Sequence, residues 1–125
     1  MKFLHTMLRV KDVEKSLEFY EGLLDLKLHH TMDLDDCRLY FLSDNKGYTQ
    51  LELTANFDTP KDGYTQGTKF GHLAFEIEDE YEIFTAKLKS LGYDYLYEPY
   101  FMGNMQIAFI KDPDENEIEL IKYCN

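Results

Sequence analysis

The stretch Glu117–Ile121 reads EIELI, and its interpretation decides the fold. Ile118 and Leu120 alternate with Glu117 and Glu119, the period of a β-strand with one apolar face. Taken alone, this is an amphipathic strand whose glutamates face water. The pattern occurs again at Gln50–Thr54, QLELT, where Glu52 stands between Leu51 and Leu53. A histidine lies 47 positions before the glutamate in both places, His5 before Glu52 and His72 before Glu119. The two pairs are therefore offset by 67 residues. The same offset aligns Val10 with Ile77, Asp12 with Asp79, Leu17 with Phe84, Leu24 with Leu91 and Leu53 with Leu120. A fixed offset of this kind is the signature of an internal repeat.

Each copy reads as β-α-β-β-β. The first strand, FLHTMLRV, ends before Asp12, an N-cap residue for a helix whose face is Val13, Leu17, Tyr20 and Leu24, with Gly22 in its last turn. In the second copy GHLAFEI leads to Asp79. Tyr81, Phe84, Leu88 and Leu91 form the helix face, and Gly92 closes it. Three strands follow each helix, at about 25–32, 37–42 and 49–55, then at about 93–100, 105–111 and 117–123. The DPDEN turn at Asp112–Asn116 has the residues a tight connection requires. The expected fold class is α+β: one domain over 1–125, with module one about 1–57, a Pro- and Gly-containing linker about 58–67, and module two about 68–125.

Strand parity places Phe3, His5, Met7 and Arg9 on one face, and Gln50, Glu52 and Thr54 on one face. His72 and Glu119 occupy the same positions in the second copy. The opposite faces, Leu51 with Leu53 and Ile118 with Leu120, are apolar and suited to packing on helices.

The 125 residues are 44% hydrophobic with a net charge of −11, which describes a folded chain and excludes most nucleic-acid partners, since phosphate binding needs clustered Lys and Arg. No apolar run approaches the length of a membrane span, and the first residues do not read as a signal peptide. A cytoplasmic protein is expected. Cys37 and Cys124 fit no zinc-finger spacing and are expected as free thiols. His29 and His30 are expected to be exposed near a strand end, and the ten tyrosines to line core and groove.

A single strand glutamate is usually solvated, and a single histidine is seldom a ligand. Two of each, one per repeat on matching faces, could hold a divalent cation. Imidazole and carboxylate suit Zn, Ni, Co, Mn or Fe, and the absence of thiolates disfavours a purely structural zinc.

The stretches LHTMLRV, LELTANF, GTKFGHLAF and AFIKDPDENEIELI closely resemble bacterial glyoxalase I, the lactoylglutathione lyase family of the vicinal oxygen chelate superfamily, over nearly the whole chain. The resemblance implies paired βαβββ modules curved into an open-sided barrel, with His5, Glu52, His72 and Glu119 as metal ligands. It implies nickel or cobalt in preference to zinc. It implies a homodimer in which His5 and Glu52 of one chain meet the partner's second module. The implied reaction isomerises the hemithioacetal of methylglyoxal and a thiol to an S-2-hydroxyacyl thioester. Glu119 is its base, with Glu52 as counterpart for the opposite stereoisomer. Arg9 and Asn56 match positions that hold the carboxylates of glutathione.

Two features depart from the family's pattern. The stretch Tyr100–Gln106, YFMGNMQ, has no basic residue where a lysine is usual, and Glu115 stands where glycine is common. Both leave the thiol open, as glutathione or a related, less charged thiol. Other members of the superfamily offer alternatives. Extradiol dioxygenases use two His and one Glu, methylmalonyl-CoA epimerases often have Gln at the second ligand position, fosfomycin-type transferases have three protein ligands, and drug-binding members usually lack the ligands. The four-residue set of this chain fits each of these less well.

Overall fold

A computed structural model of the chain describes residues 1–124. The chain divides into two compact units, Met1–Thr65 and Gln66–Asn125. Each is a four-stranded sheet with one helical segment between its first and second strands, so the β-α-β-β-β reading of both copies holds.

In the first unit the strands are β1 (His5–Arg9), β2 (Lys27–Asp33), β3 (Cys37–Ser43) and β4 (Gln50–Asn56), in the order β1-β4-β3-β2. β1 runs parallel to β4, and the other neighbours are antiparallel. In the second unit β5 (His72–Glu76), β6 (Tyr97–Met102), β7 (Met105–Lys111) and β8 (Glu117–Tyr123) repeat the arrangement as β5-β8-β7-β6, with β5 parallel to β8. The second strand of each copy starts later than expected, at Lys27 and Tyr97, because the residues before it close off the helix.

Helix α1 (Val13–Leu17) starts as expected at Asp12, whose carboxylate accepts the Lys15 amide at 3.3 Å. It then passes into a π-helical turn over Glu18–Leu23, marked by the Leu24 amide donating five residues back to the Phe19 carbonyl at 3.1 Å. The buried stripe is Ser16, Phe19, Tyr20 and Leu23, while Val13, Leu17 and Leu24 are half-buried. The expected face was thus about one residue out of phase. Ser16 lets the helix approach the sheet, and the Phe19 and Tyr20 rings, edge-on at 5.0 Å, both turn inward. Each such buried side chain contributes about 1.5–3 kcal/mol relative to exposure.

Helix α2 (Tyr81–Ser90) has Glu80 as N-cap with no side-chain cap, and it buries Tyr81, Phe84 and Leu88. Its C-terminus is a Schellman motif. The Gly92 amide donates to the Lys89 carbonyl at 3.0 Å and the Tyr93 amide to Leu88 at 3.1 Å, which requires the left-handed φ of 86° at Gly92. Asp25 lies 67 residues earlier, and its φ of 61° takes the first copy through the left-handed region at the matching position without glycine.

The DPDEN turn between β7 and β8 is organised by Asp112. Its Oδ1 accepts the amides of Asp114 at 3.0 Å and Asn116 at 2.8 Å, and its Oδ2 accepts the Asn116 amide group at 2.9 Å. Glu115 is left-handed there with φ 67°, which explains why glycine suits this position. Cys37 is buried, Cys124 is half-buried, and both are free thiols. Among the described residues no helix is long and apolar enough to cross a membrane.

Opposite substitutions at the two left-handed positions test this account. A Cβ at residue 92 meets no atom within 4 Å, so Gly92→Ala is expected to lose about 1 kcal/mol through backbone strain alone. Glu115→Gly is expected to gain about 0.5–1 kcal/mol. Urea denaturation with unchanged m-values measures both.

Candidate metal centre

The parallel pairing of β1 with β4 sets His5 opposite Gln50 and Met7 opposite Glu52. His5 and Glu52 are therefore diagonal neighbours on one face. In the second unit His72 is opposite Glu117 and Ala74 opposite Glu119, so His72 and Glu119 have the same diagonal relation. The side chains converge within each unit. His5 Nε2 lies 3.4 Å from Glu52 Oε1, and His72 Nε2 lies 3.8 Å from Glu119 Oε2. The two imidazoles are equally open, with 41% and 43% of their side chains exposed, whereas the glutamates are mostly covered at 10% and 18%. This is an imidazole nitrogen and a carboxylate oxygen presented side by side, with the imidazole edge accessible.

The donor chemistry fits a divalent cation. Adjacent ligands each about 2.0–2.2 Å from one ion are themselves about 3 Å apart. The observed separations reach that value by small side-chain rotations. Each unit by itself supplies two donors, His5 and Glu52 in the first and His72 and Glu119 in the second.

A ring lies directly across from each glutamate. Phe41 pairs with Glu52, and Phe109 pairs with Glu119. Each ring also meets the histidine edge-on, His5 with Phe41 at 6.0 Å and His72 with Phe109 at 5.6 Å. The next strand adds one more ring. His30 stacks on Phe41 at 4.4 Å, and Tyr97, 67 residues later, meets Phe109 at 5.7 Å. The two phenylalanines were not singled out in the sequence because they are 68 residues apart, not 67. The β3–β4 connection has one more residue than β7–β8, which breaks the linear alignment while the sheet register preserves the pairing.

His30 is exposed as expected, but it belongs to the face that carries Glu52. His29 is the extra residue of a bulge between Leu28 and His30, and its Nε2 is 2.7 Å from Ser43 Oγ. Arg9 is exposed at the end of β1, opposite Thr54 and on the same face as His5. Asn56 ends β4 on that face too, and its side-chain amide donates to the Tyr64 hydroxyl at 2.8 Å. Tyr64, in the segment read only as linker, thus positions Asn56. Glu117 shares the parity of Glu119 but lies opposite Lys111 on β7 and His72 on β5.

Tyr81 holds the strand that carries Glu119. Its hydroxyl donates to the carbonyls of Leu120 at 2.8 Å and Gln106 at 3.0 Å, and burial raises its pKa well above the ordinary tyrosine value. Among the described residues no buried side-chain polar atom lacks a partner.

Residues 2–120 match the sequence profile of the Glyoxalase/Bleomycin resistance protein/Dioxygenase superfamily. The chain is similar to the lactoylglutathione lyase of Neisseria meningitidis serogroup A, 41% identical over 98% of this chain and 91% of that one. It is similar to the lactoylglutathione lyase of Haemophilus influenzae, 36% identical over 98% of this chain and 93% of the relative. Its structure resembles the trypanothione-dependent glyoxalase I of Leishmania major with a TM-score of 0.81 and 32% identity, over 98% of this chain and 86% of the other.

The Tyr81 staple gives a simple test. Tyr81→Phe is expected to cost about 0.5–1.5 kcal/mol, the usual net value of one buried hydrogen bond, as measured by chemical denaturation.

Proposed function

The chain belongs to the Glyoxalase/Bleomycin resistance protein/Dioxygenase superfamily, and from that premise we propose that it catalyses the lactoylglutathione lyase reaction. The substrate is the hemithioacetal of methylglyoxal and a thiol, and the product is an S-2-hydroxyacyl thioester. The observation that carries this reading is the duplicated His–Glu diagonal, 3.4 Å in one unit and 3.8 Å in the other, within a chain matched along nearly its full length by lactoylglutathione lyases.

The reaction is an isomerisation. The proton on the carbon bearing sulfur moves to the neighbouring carbon, and the hydroxyl proton passes between the two oxygens. His5, Glu52, His72 and Glu119 would hold a divalent cation, which would supply Lewis-acid stabilisation to negative charge developing on the substrate. The Glu119 carboxylate takes the carbon-bound proton and returns it one carbon further along, a role typically worth about 10²–10⁴ in rate. Glu52 serves the opposite stereoisomer. Arg9 and Asn56 bind the thiol's carboxylate end. The exposed Phe101 and Met102 offer that end no cation, so a thiol less anionic than glutathione remains a substrate of equal standing.

This reading favours nickel or cobalt over zinc, since the set has imidazole and carboxylate donors that would suit either ion and none of the thiolates of a structural zinc site. Two half-sites of two ligands each are completed in a homodimer, the first module of one chain facing the second module of its partner. The setting is the cytoplasm.

The activity test compares protein stripped by chelation and reloaded with Ni, Co or Zn, following thioester formation from methylglyoxal and glutathione. Glu119→Gln is expected to lose at least about 10²-fold in kcat with the fold intact, while Glu117→Gln stays near wild type. Equal, small effects at both positions, or full activity in metal-free protein, would remove the proposal.

Sharing of sites between chains is tested by mixing inactive His5→Ala and Glu119→Gln chains. In a heterodimer with shared sites one site carries both lesions and the other neither, so activity is expected to recover. Heterodimers that form without recovery would place each site within one chain.

A further inference from the structure

We propose that the groove between helix α2 and strand β6 is a binding site for a small organic cation, an ammonium group carried on an apolar body. The groove has a volume of about 510 Å³ and lies wholly within the second unit. Small-molecule sites span about 300–1,000 Å³. Register separates this groove from the His–Glu pair. Gln106, part of its lining, pairs with Lys122, whereas Phe109, three residues along β7, pairs with Glu119. An odd spacing puts Gln106 and the groove on the opposite face of the sheet from Glu119.

The groove opens where α2 carries small side chains. The buried stripe of the first helical segment, Ser16, Phe19, Tyr20 and Leu23, has the spacing of positions 81, 84, 85 and 88 in α2. Thr85 therefore stands where the first copy buries the Tyr20 ring. Ala86 beside it is exposed and adds only a methyl group. Threonine and alanine do not fill the space that a tyrosine ring takes, and a hollow is left beside β6.

The lining selects the ligand's chemistry. Tyr81 and Tyr95 both line the groove, and the hydroxyl of each is already engaged. Tyr81 donates to the carbonyls of Leu120 and Gln106, and the Tyr95 hydroxyl lies 2.6 Å from Thr85 Oγ1. The two tyrosines therefore offer a ligand ring surface, and Pro99 adds an apolar edge. The face of an aromatic ring attracts a cation. The charged lining has the matching sign. Glu82 and Glu98 are exposed, and neither forms a hydrogen bond or ion pair among the described residues. Lys89, the cation of the lining, is answered by Asp94 and does not neutralise them. An anion would be repelled here, and a neutral ligand would leave both carboxylates unanswered. An ammonium group on an apolar body meets the carboxylates and the rings together.

The probe is 2-phenylethylammonium, titrated into the full-length protein and followed by backbone amide NMR shifts. 2-Phenylethanol and 3-phenylpropionate are its neutral and anionic matches. The ammonium is expected to give saturable shifts centred on α2 and β6 and to bind at least about tenfold more tightly than the alcohol, while 3-phenylpropionate does not bind. Glu82→Gln and Glu98→Gln change exposed side chains and keep the fold. Each is expected to weaken the ammonium several-fold and to leave the alcohol unaffected. Equal binding of ammonium and alcohol, or an ammonium affinity that neither variant alters, would overturn the proposal and leave only an apolar crevice. The absence of saturable shifts would also overturn it. Protein stripped by chelation and protein loaded with Co(II) are expected to bind the ammonium equally. Shifts centred on His72 and Glu119 that disappear on loading would place the cation at the His–Glu pair and overturn the assignment to the groove.

Discussion

The structure depends on the parallel pairing of the first strand of each module with its last. A parallel ladder aligns His5 with Gln50 and His72 with Glu117, two residues short of Glu52 and Glu119. That stagger is what makes each histidine a diagonal neighbour of a glutamate on one face, close enough for both to reach a common atom. A slip of one residue would send the glutamates to the opposite face, among the helix-packing leucines. The apolar residues between them prevent that slip. Leu51 and Leu53, like Ile118 and Leu120, are buried, so the hydrophobic core sets the register on which the polar face relies. The crossover helix is the necessary companion, since parallel neighbours cannot be joined by a tight turn.

The two modules reach one architecture by different local means. Helix α2 ends on a glycine in a Schellman motif. The first module ends its helix through a π-helical turn and places Asp25 in the left-handed region. Tyr81 ties α2 to the carbonyl of Leu120, next to Glu119, whereas the matching position in the first module is Glu14. The first module compensates at the other end of the problem, by fastening the Glu52 carboxylate itself through Thr54. In one copy the strand behind the carboxylate is braced, and in the other the carboxylate is braced directly. A duplicated site need not be symmetric in how it is made rigid.

Much of this was legible in the sequence because parity and repeat spacing are local and additive. The four residues His5, Glu52, His72 and Glu119, the module order, the Asp12 cap and the Gly92 stop all follow from patterns that one strand or one helix declares by itself. What was not legible depends on neighbours that are distant in sequence. The α1 face was misread because a π-helical turn shifts the phase, and nothing in VEKSLEFYEGL announces an i→i−5 bond. Phe41 and Phe109 escaped because one added residue in a hairpin moved their spacing to 68. Tyr64 looked like linker because its partner Asn56 is met through a turn at Pro60–Gly63, not through any periodicity.

Register also resolves the ambiguity of EIELI, which periodicity alone cannot. Glu117 and Glu119 have the same parity and similar burial, and Ile118 stands between them. They differ in what lies across the ladder. On the β7 side Glu117 faces the exposed Lys111, a position open to solvent. Glu119 faces Phe109, as Glu52 faces Phe41. An aromatic wall offers a carboxylate no hydrogen bond and takes away part of its water. A largely covered carboxylate against such a wall is costly unless something else meets its charge. In each module the group placed to do so is the open edge of an imidazole, which itself has room for one further partner. A covered carboxylate with a phenylalanine across the antiparallel ladder and an imidazole at the diagonal position occurs at both ends of the repeat, whereas Glu117 has His72 directly opposite it on β5 and Lys111 on β7. Glu117 and Glu119 thus differ through the residues opposite them on β7 and not through the pattern within their own strand.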